Sequence, residues 1–153
     1  MRLKIFGRVA AVLFVMVLSG CSSDIKKQDT ERSGSNFKRQ QGCVFCEIIA
    51  NQPDKILFEN DHVVVIKTRH PVAPIHYLII PKKHITDLTE LDDNDYPLAG
   101  SFLMMAKQLS ESDTKARHFR LVNNNGRLAA QTVFHAHIHF LAGKKFRWND
   151  FIH

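Results

Sequence analysis

The segment His135-Ala136-His137-Ile138-His139 sets three imidazoles at alternate positions. In an extended chain, successive side chains point to opposite faces. Phe134, Ala136, Ile138 and Phe140 then share an apolar face. His135, His137 and His139 share the other, roughly 6.6 Å apart along the strand. Such a row has two kinds of chemistry open to it. Neutral imidazoles can hold a metal such as zinc, although one flat strand does not easily wrap three ligands around one ion, so other elements would have to contribute. Imidazoles near their pKa can instead act on phosphate, one as a neutral nucleophile and another as its partner. With 9 His in 153 residues, this alignment would rarely arise by chance, so the row is read as functional.

A second cluster begins at Cys43-x-x-Cys46, which is half of a common zinc site. In an oxidising compartment the same pair can close into a disulfide. Both readings stand at this point.

Several elements must position these groups. Cys43 to Asn51 reads as a short helix with Val44 and Ile48, and also Phe45 and Ile49, turned inward, ended by Pro53. Lys55–Glu59 and His62–Ile66 are β-rich runs joined by the turn signal Asn60-Asp61, hence a hairpin. Pro71 and Pro74 mark a loop, and His76–Ile80 is a third strand closed by Pro81. Asp92 to about Glu111 is one long helix, with Asp92 or Asp93 as its N-cap and Leu98, Phe102, Met105 and Leu109 as its apolar stripe. Phe119–Val122 and Phe134–Leu141 are the fourth and fifth strands. One long helix between two groups of strands predicts an α+β domain with an antiparallel sheet. No internal repeat is apparent.

Hydrophobic content of 44% and charged content of 24% are ordinary for a globular protein. The net charge of +6 falls to +3 without Arg2, Lys4 and Arg8. No basic stripe with interleaved aromatics is present, which argues against a nucleic-acid binder.

Those three cations belong to an opening segment that reads as an address. Val9–Leu18 is an apolar run too short to cross a bilayer as a helix but suited to a signal peptide. It leads into Leu18-Ser19-Gly20-Cys21, which resembles the lipobox of bacterial lipoproteins. That resemblance implies cleavage after residue 20, lipid on Cys21 and, with Ser22 following, an outer-membrane address facing the periplasm. Translation from Met16 would instead give a cytoplasmic chain. Residues 22–42 lack any period and read as a flexible tether, so the folded domain is expected over 43–153.

Gln131-Thr-Val-Phe-His-Ala-His-Ile-His139 resembles the signature of the histidine-triad (HIT) nucleotide-binding family. The likeness runs from Cys43 to Trp148 and takes in Pro74-Ile-His76, Ile80-Pro-Lys-Lys-His84 and Asn123-Asn-Asn-Gly126. Trp148 and the Cys pair make it similar to the Hint branch. The resemblance implies a five-stranded antiparallel sheet with one long and one short helix, paired into a homodimer. It also implies that His137 attacks the phosphorus of a purine nucleotide conjugate such as a nucleoside phosphoramidate, with His139 bonded to the phosphate or bridging atom. Gln131 and Thr132 match the phosphate-contacting pair, Asn124 (or the neighbouring Asn123) the nucleotide-side Asn, and His76 a further histidine that orients the triad. His84 and His135 would complete a structural zinc site with Cys43 and Cys46.

Two departures stand out. Thr68 occupies the place where that branch carries an acidic ribose ligand, and Lys67 and Arg69 flank it. Ala129-Ala130 replaces a Gly-Gly pair, so a backbone phosphate contact there requires Ala130 to avoid positive φ. An enzyme and a binding module holding nucleotide or zinc without turnover both fit these residues.

Overall fold

The computed structural model describes residues 40–147. The expectations for Cys21, the tether up to residue 39 and Trp148 lie outside the described residues. The short helix α1 spans Val44–Asn51. Strands β1 (Ile56–Glu59), β2 (Val63–Lys67) and β3 (Ile75–Pro81) follow, then the long helix α2 (Tyr96–Ser112), β4 (Phe119–Val122) and β5 (Ile138–Ala142). All neighbours are antiparallel, in the order β1-β2-β3-β5-β4. This is the expected α+β class, a five-stranded sheet with one long and one short helix.

The sheet carries a helix on each face. Val63, Val65, Ile79, Phe140 and Ala142 pack against Leu98, Phe102, Met105 and Leu109 of α2. The alternate residues Val64, Ile66, Leu78 and Ile80 pack against Phe45 and Ile48 of α1. Burial on both sides explains why Val63–Ile66 is an unbroken apolar run rather than an alternating one. A bulge at Leu57 in the β1–β2 pairing reverses the alternation. Ile56 therefore packs toward α1, while Phe58 packs toward α2.

Three elements differ from the sequence expectation. The helix read from Asp92 begins at Tyr96, because Asp92 caps a separate turn over Asp93–Asp95 through a capping box with Asp95. Pro97 then opens α2, where a missing N–H costs nothing. In α1, Val44 is 41% exposed instead of facing inward, while Phe45, Cys46 and Ile48 are buried. The fifth strand is confined to Ile138–Ala142, although Phe134–Leu141 was expected. The reason lies in the backbone partners of the preceding residues. Ala136 N–H donates to the Ile85 carbonyl at 2.8 Å, and the His137 carbonyl accepts from the Asn123 side chain at 2.9 Å. Those groups are satisfied outside the ladder, so the segment enters the sheet only at Ile138.

Candidate functional site

The apolar half of the histidine segment behaves as its alternation requires, with Ala136, Ile138 and Phe140 in the α2-side core. Phe134 does not join them; its ring lies under the Arg127 guanidinium, 4.6 Å from it. The three histidines separate into two sites, His135 at a cluster with the cysteines and His137 with His139 at a cavity.

His135 is fully buried. Its Nε2–H donates to the Pro81 carbonyl at 2.9 Å, which leaves the Nδ1 lone pair directed at a cluster with Cys43, Cys46 and His84. Nδ1 of His135 lies 3.4 Å from Cys43 Sγ, 3.6 Å from Cys46 Sγ and 3.2 Å from His84 Nδ1. His84 Nδ1 lies 3.4 Å from Cys46 Sγ. A tetrahedral zinc bound at about 2.0–2.1 Å to nitrogen and about 2.3 Å to sulfur has N···N edges near 3.3 Å and N···S edges near 3.5 Å. The four measured edges match that tetrahedron, and two buried nitrogen lone pairs facing each other need a shared proton or cation. Cys43 holds the N-cap position of α1 without capping it, since its thiol faces the cluster. Cys46 Sγ also accepts from the Gln40 N–H at 3.5 Å. Both cysteines are free, and the spacing of the four donors fits a metal. A zinc here would be a closed structural site tying α1 to the turn after β3 and to the histidine segment.

His137 and His139 face the α1 side and line a cavity of about 580 Å³ together with Thr132, Phe45, Ile48 and Leu78. The volume falls in the range of small-molecule sites. Local bonds set the tautomers. His137 Nδ1–H donates to the His135 carbonyl at 2.9 Å, so its Nε2 keeps a free lone pair. The Val72 N–H donates to His76 Nδ1 at 3.2 Å, so His76 is protonated on Nε2 and donates to His139 Nδ1 at 2.9 Å. His139 is thereby left with its proton on Nε2. Burial lowers the pKa of His137 and of His76. Burial first, then repulsion from His137 and His76, brings His139 down to about 4. The rings are therefore neutral near pH 7: one free lone pair beside one oriented N–H donor.

The other expected residues are placed as follows. Thr132 is exposed on the cavity wall. Gln131 is buried, and its side chain clamps the loop instead of facing the cavity: Nε2 donates to the Thr86 and Val133 carbonyls, and Oε1 accepts from the Gly126 N–H. A direct phosphate contact would break this clamp. Asn124 is half-buried and has no side-chain hydrogen bond among the described residues. Its neighbours have tasks: Asn123 on the His137 carbonyl, Asn125 on the Leu88 N–H. Ala130 adopts φ 63°, so the condition set for a backbone phosphate contact there is not met. Thr68 lines the cavity, but its hydroxyl accepts from the His70 N–H at 3.3 Å and so closes its own turn. Sequence reasoning missed Lys55 and Leu57, which also line the cavity; Leu57 is the extra residue of the β1 bulge, and one extra residue in a strand leaves no sequence signal of its own.

The HIT domain profile matches residues 50–146. An uncharacterised HIT-like protein of Synechocystis is 40% identical over 106 residues, which is 69% of this chain and 93% of that protein. The crystal structure of a HIT family hydrolase from Legionella pneumophila superposes with a TM-score of 0.63 at 34% identity, covering 69% of this chain and 96% of the other. A zinc-bound histidine triad family protein from Mycobacterium smegmatis superposes with a TM-score of 0.59 at 25% identity, covering 70% of this chain and 78% of the other. With this profile match, these relatives and the paired histidine geometry, the chain belongs to the HIT domain family.

Proposed function

We propose that this protein is a nucleotidyl hydrolase or transferase acting on nucleoside 5′-phosphoramidates or related conjugates through a nucleotidyl-histidine intermediate. The observation that carries the reading is the fixed pair of tautomers, with an Nε2 lone pair on His137 beside an Nε2–H on His139. In the first step His137 Nε2 attacks phosphorus and the P–N bond breaks, its electron pair going to nitrogen. The leaving amine takes a proton from solvent, and His139 stabilises the bridging atom by a hydrogen bond. In the second step water attacks phosphorus, His137 Nε2 leaves with its electron pair, and the proton returns to solvent. The sum is one water added across the P–N bond. Thr132, exposed at the wall, supplies hydroxyl and N–H donors to the developing charge. A zinc held by Cys43, Cys46, His84 and His135 supplies no chemistry in this scheme; it rigidifies the segment that positions His137.

The test is incubation of the purified protein with adenosine and guanosine 5′-phosphoramidates. Release of monophosphate, lost in His137→Ala while monophosphate binding survives, is the expected result. No release from either substrate by folded protein overturns the enzymatic reading and leaves a binding module.

The address rests on the Cys21 motif, and pairing into a homodimer rests on family likeness. Palmitate labelling that disappears in Cys21→Ala, and a sedimentation mass of two chains, are the expected outcomes. A cytoplasmic, unlabelled product starting at Met16 contradicts the envelope location.

A further inference from the structure

Two basic segments, Lys115-Ala-Arg-His-Phe-Arg120 and Lys144-Lys-Phe-Arg147, stand well apart in the chain. The sheet brings them together. Phe119 at the start of β4 pairs with Ala142 at the end of β5, so the residues entering β4 lie beside those leaving β5. Gly143, at φ 87°, turns the chain close against Pro74 and begins the second segment. Between the two segments lies an open cleft of about 800 Å³, lined by Lys115, Arg117, His118, Lys144, Lys145 and Phe146.

No carboxylate among the described residues lines this cleft. The acidic groups just before it in sequence are occupied. Glu111 pairs with Lys107, and Asp113 caps the next turn by accepting from the Lys115 N–H at 2.8 Å. Lys115, Arg117, Lys144 and Lys145 are exposed and have no ion pair among the described residues. Unpaired cations occur elsewhere on the described surface, but here four converge on one concavity, which focuses the potential toward an anionic partner. The aromatic rings present are already engaged. Phe146 has the Arg120 guanidinium 4.7 Å and the Lys144 ammonium 5.5 Å from its ring centroid, and Phe119 stacks on Phe140. The cleft therefore offers charge for phosphates rather than a free platform on which nucleic-acid bases would stack.

We propose that this cleft docks the domain on a membrane surface rich in anionic phospholipid, with Lys115, Arg117, Lys144 and Lys145 meeting the phosphate headgroups. Each Lys or Arg near such a surface adds to the attraction, and salt weakens it. The lipobox motif at Cys21 supplies a separate reason for a membrane partner, since lipid on that residue would hold the domain beside phospholipid. The inference goes beyond the nucleotide reading, because the cleft shares no residue with the cavity of His137 and His139.

The experiment is co-sedimentation of the full chain, carrying Cys21→Ala so that no acyl group inserts, with two kinds of vesicle. One is phosphatidylcholine alone, and the other contains about one part in three phosphatidylglycerol. Partitioning should favour the anionic vesicles. It should fall by about tenfold or more in Lys144→Ala/Lys145→Ala and again in Lys115→Ala/Arg117→Ala, and likewise in added salt. Arg2, Lys4 and Arg8 are present in every sample, so the change on substitution reads the cleft alone. All four replaced side chains are exposed, and matching circular dichroism checks that the variants fold. Equal partitioning to both vesicles overturns the proposal. So does an equal loss in Lys55→Ala/Lys82→Ala, which removes the same net charge away from the cleft. A single-stranded oligouridylate that strips the protein from anionic vesicles, and whose binding is lost in the same cleft variants, gives the cleft to RNA and also overturns it.

Discussion

His76 Nε2 lies 2.9 Å from His139 Nδ1, and this single bond decides which nitrogen of His139 carries its proton. The Val72 N–H on the far side of His76 completes the chain, so a backbone amide before β3 dictates the donor on β5. His76→Phe keeps a ring but removes that donor. The expected result is a kcat lowered by about ten- to a hundredfold with little change in KM, and partial recovery in His76→Gln. An unchanged kcat in His76→Phe would remove His76 from the machinery. Nitrogen NMR of His139 should report the tautomer directly.

Stability should depend on pH through His139. Its pKa falls from 6.5 to about 4 on folding, so between those values the unfolded chain binds more protons. Stability therefore rises with pH across that window. The contribution is fully present above pH 6.5 and is lost as the pH falls through about 4. Denaturant midpoints measured through this range should drop on acidification, and His139→Gln should flatten the drop. An equally steep profile in His139→Gln assigns the effect elsewhere.

Metal analysis should find one zinc per chain, lost in Cys46→Ser. Chelation near neutral pH should lower the unfolding free energy by several kcal/mol, on the order of 3. A metal-free protein whose two domain thiols resist titration until reduced would establish a Cys43–Cys46 disulfide instead.

Ala130 sits at φ 63°, where a Cβ meets the following carbonyl. Ala130→Gly relieves roughly 1–2 kcal/mol of strain and gives back about 0.5–1 in unfolded-chain entropy. A net gain of up to about 1 kcal/mol should appear as a raised denaturant midpoint. Gly143 is the converse. Its φ is 87°, and an added Cβ would meet Pro74 Cβ at 3.1 Å. Gly143→Ala should destabilise by more than about 1 kcal/mol.

The α2 stripe Leu98, Phe102, Met105 and Leu109 was legible because helical period and burial coincide there, and all four are buried. The pairing of Cys43 and Cys46 with His84 and His135 came from family likeness, and geometry brings the same four together. The cavity was less legible. Leu57 enters it at a bulge, and Gln131 turns away from it to hold Thr86, Val133 and Gly126. Both depend on partners distant in the chain that no local pattern encodes.

Read without coordinates, the chain already places Ala136, Ile138 and Phe140 opposite His137 and His139, because a period of two is a local property of extended backbone. Family likeness already divided the three histidines between a metal-ligand cluster and a second pair, but the physical cause of that division is legible only in the folded molecule. His135 reaches the cysteines because Ile85 and Asn123 take up the backbone groups around it and hold that segment out of the sheet. The neutral tautomers of His137 and His139 likewise come from the His135 carbonyl, from His76 and from burial, which only tertiary contacts assemble.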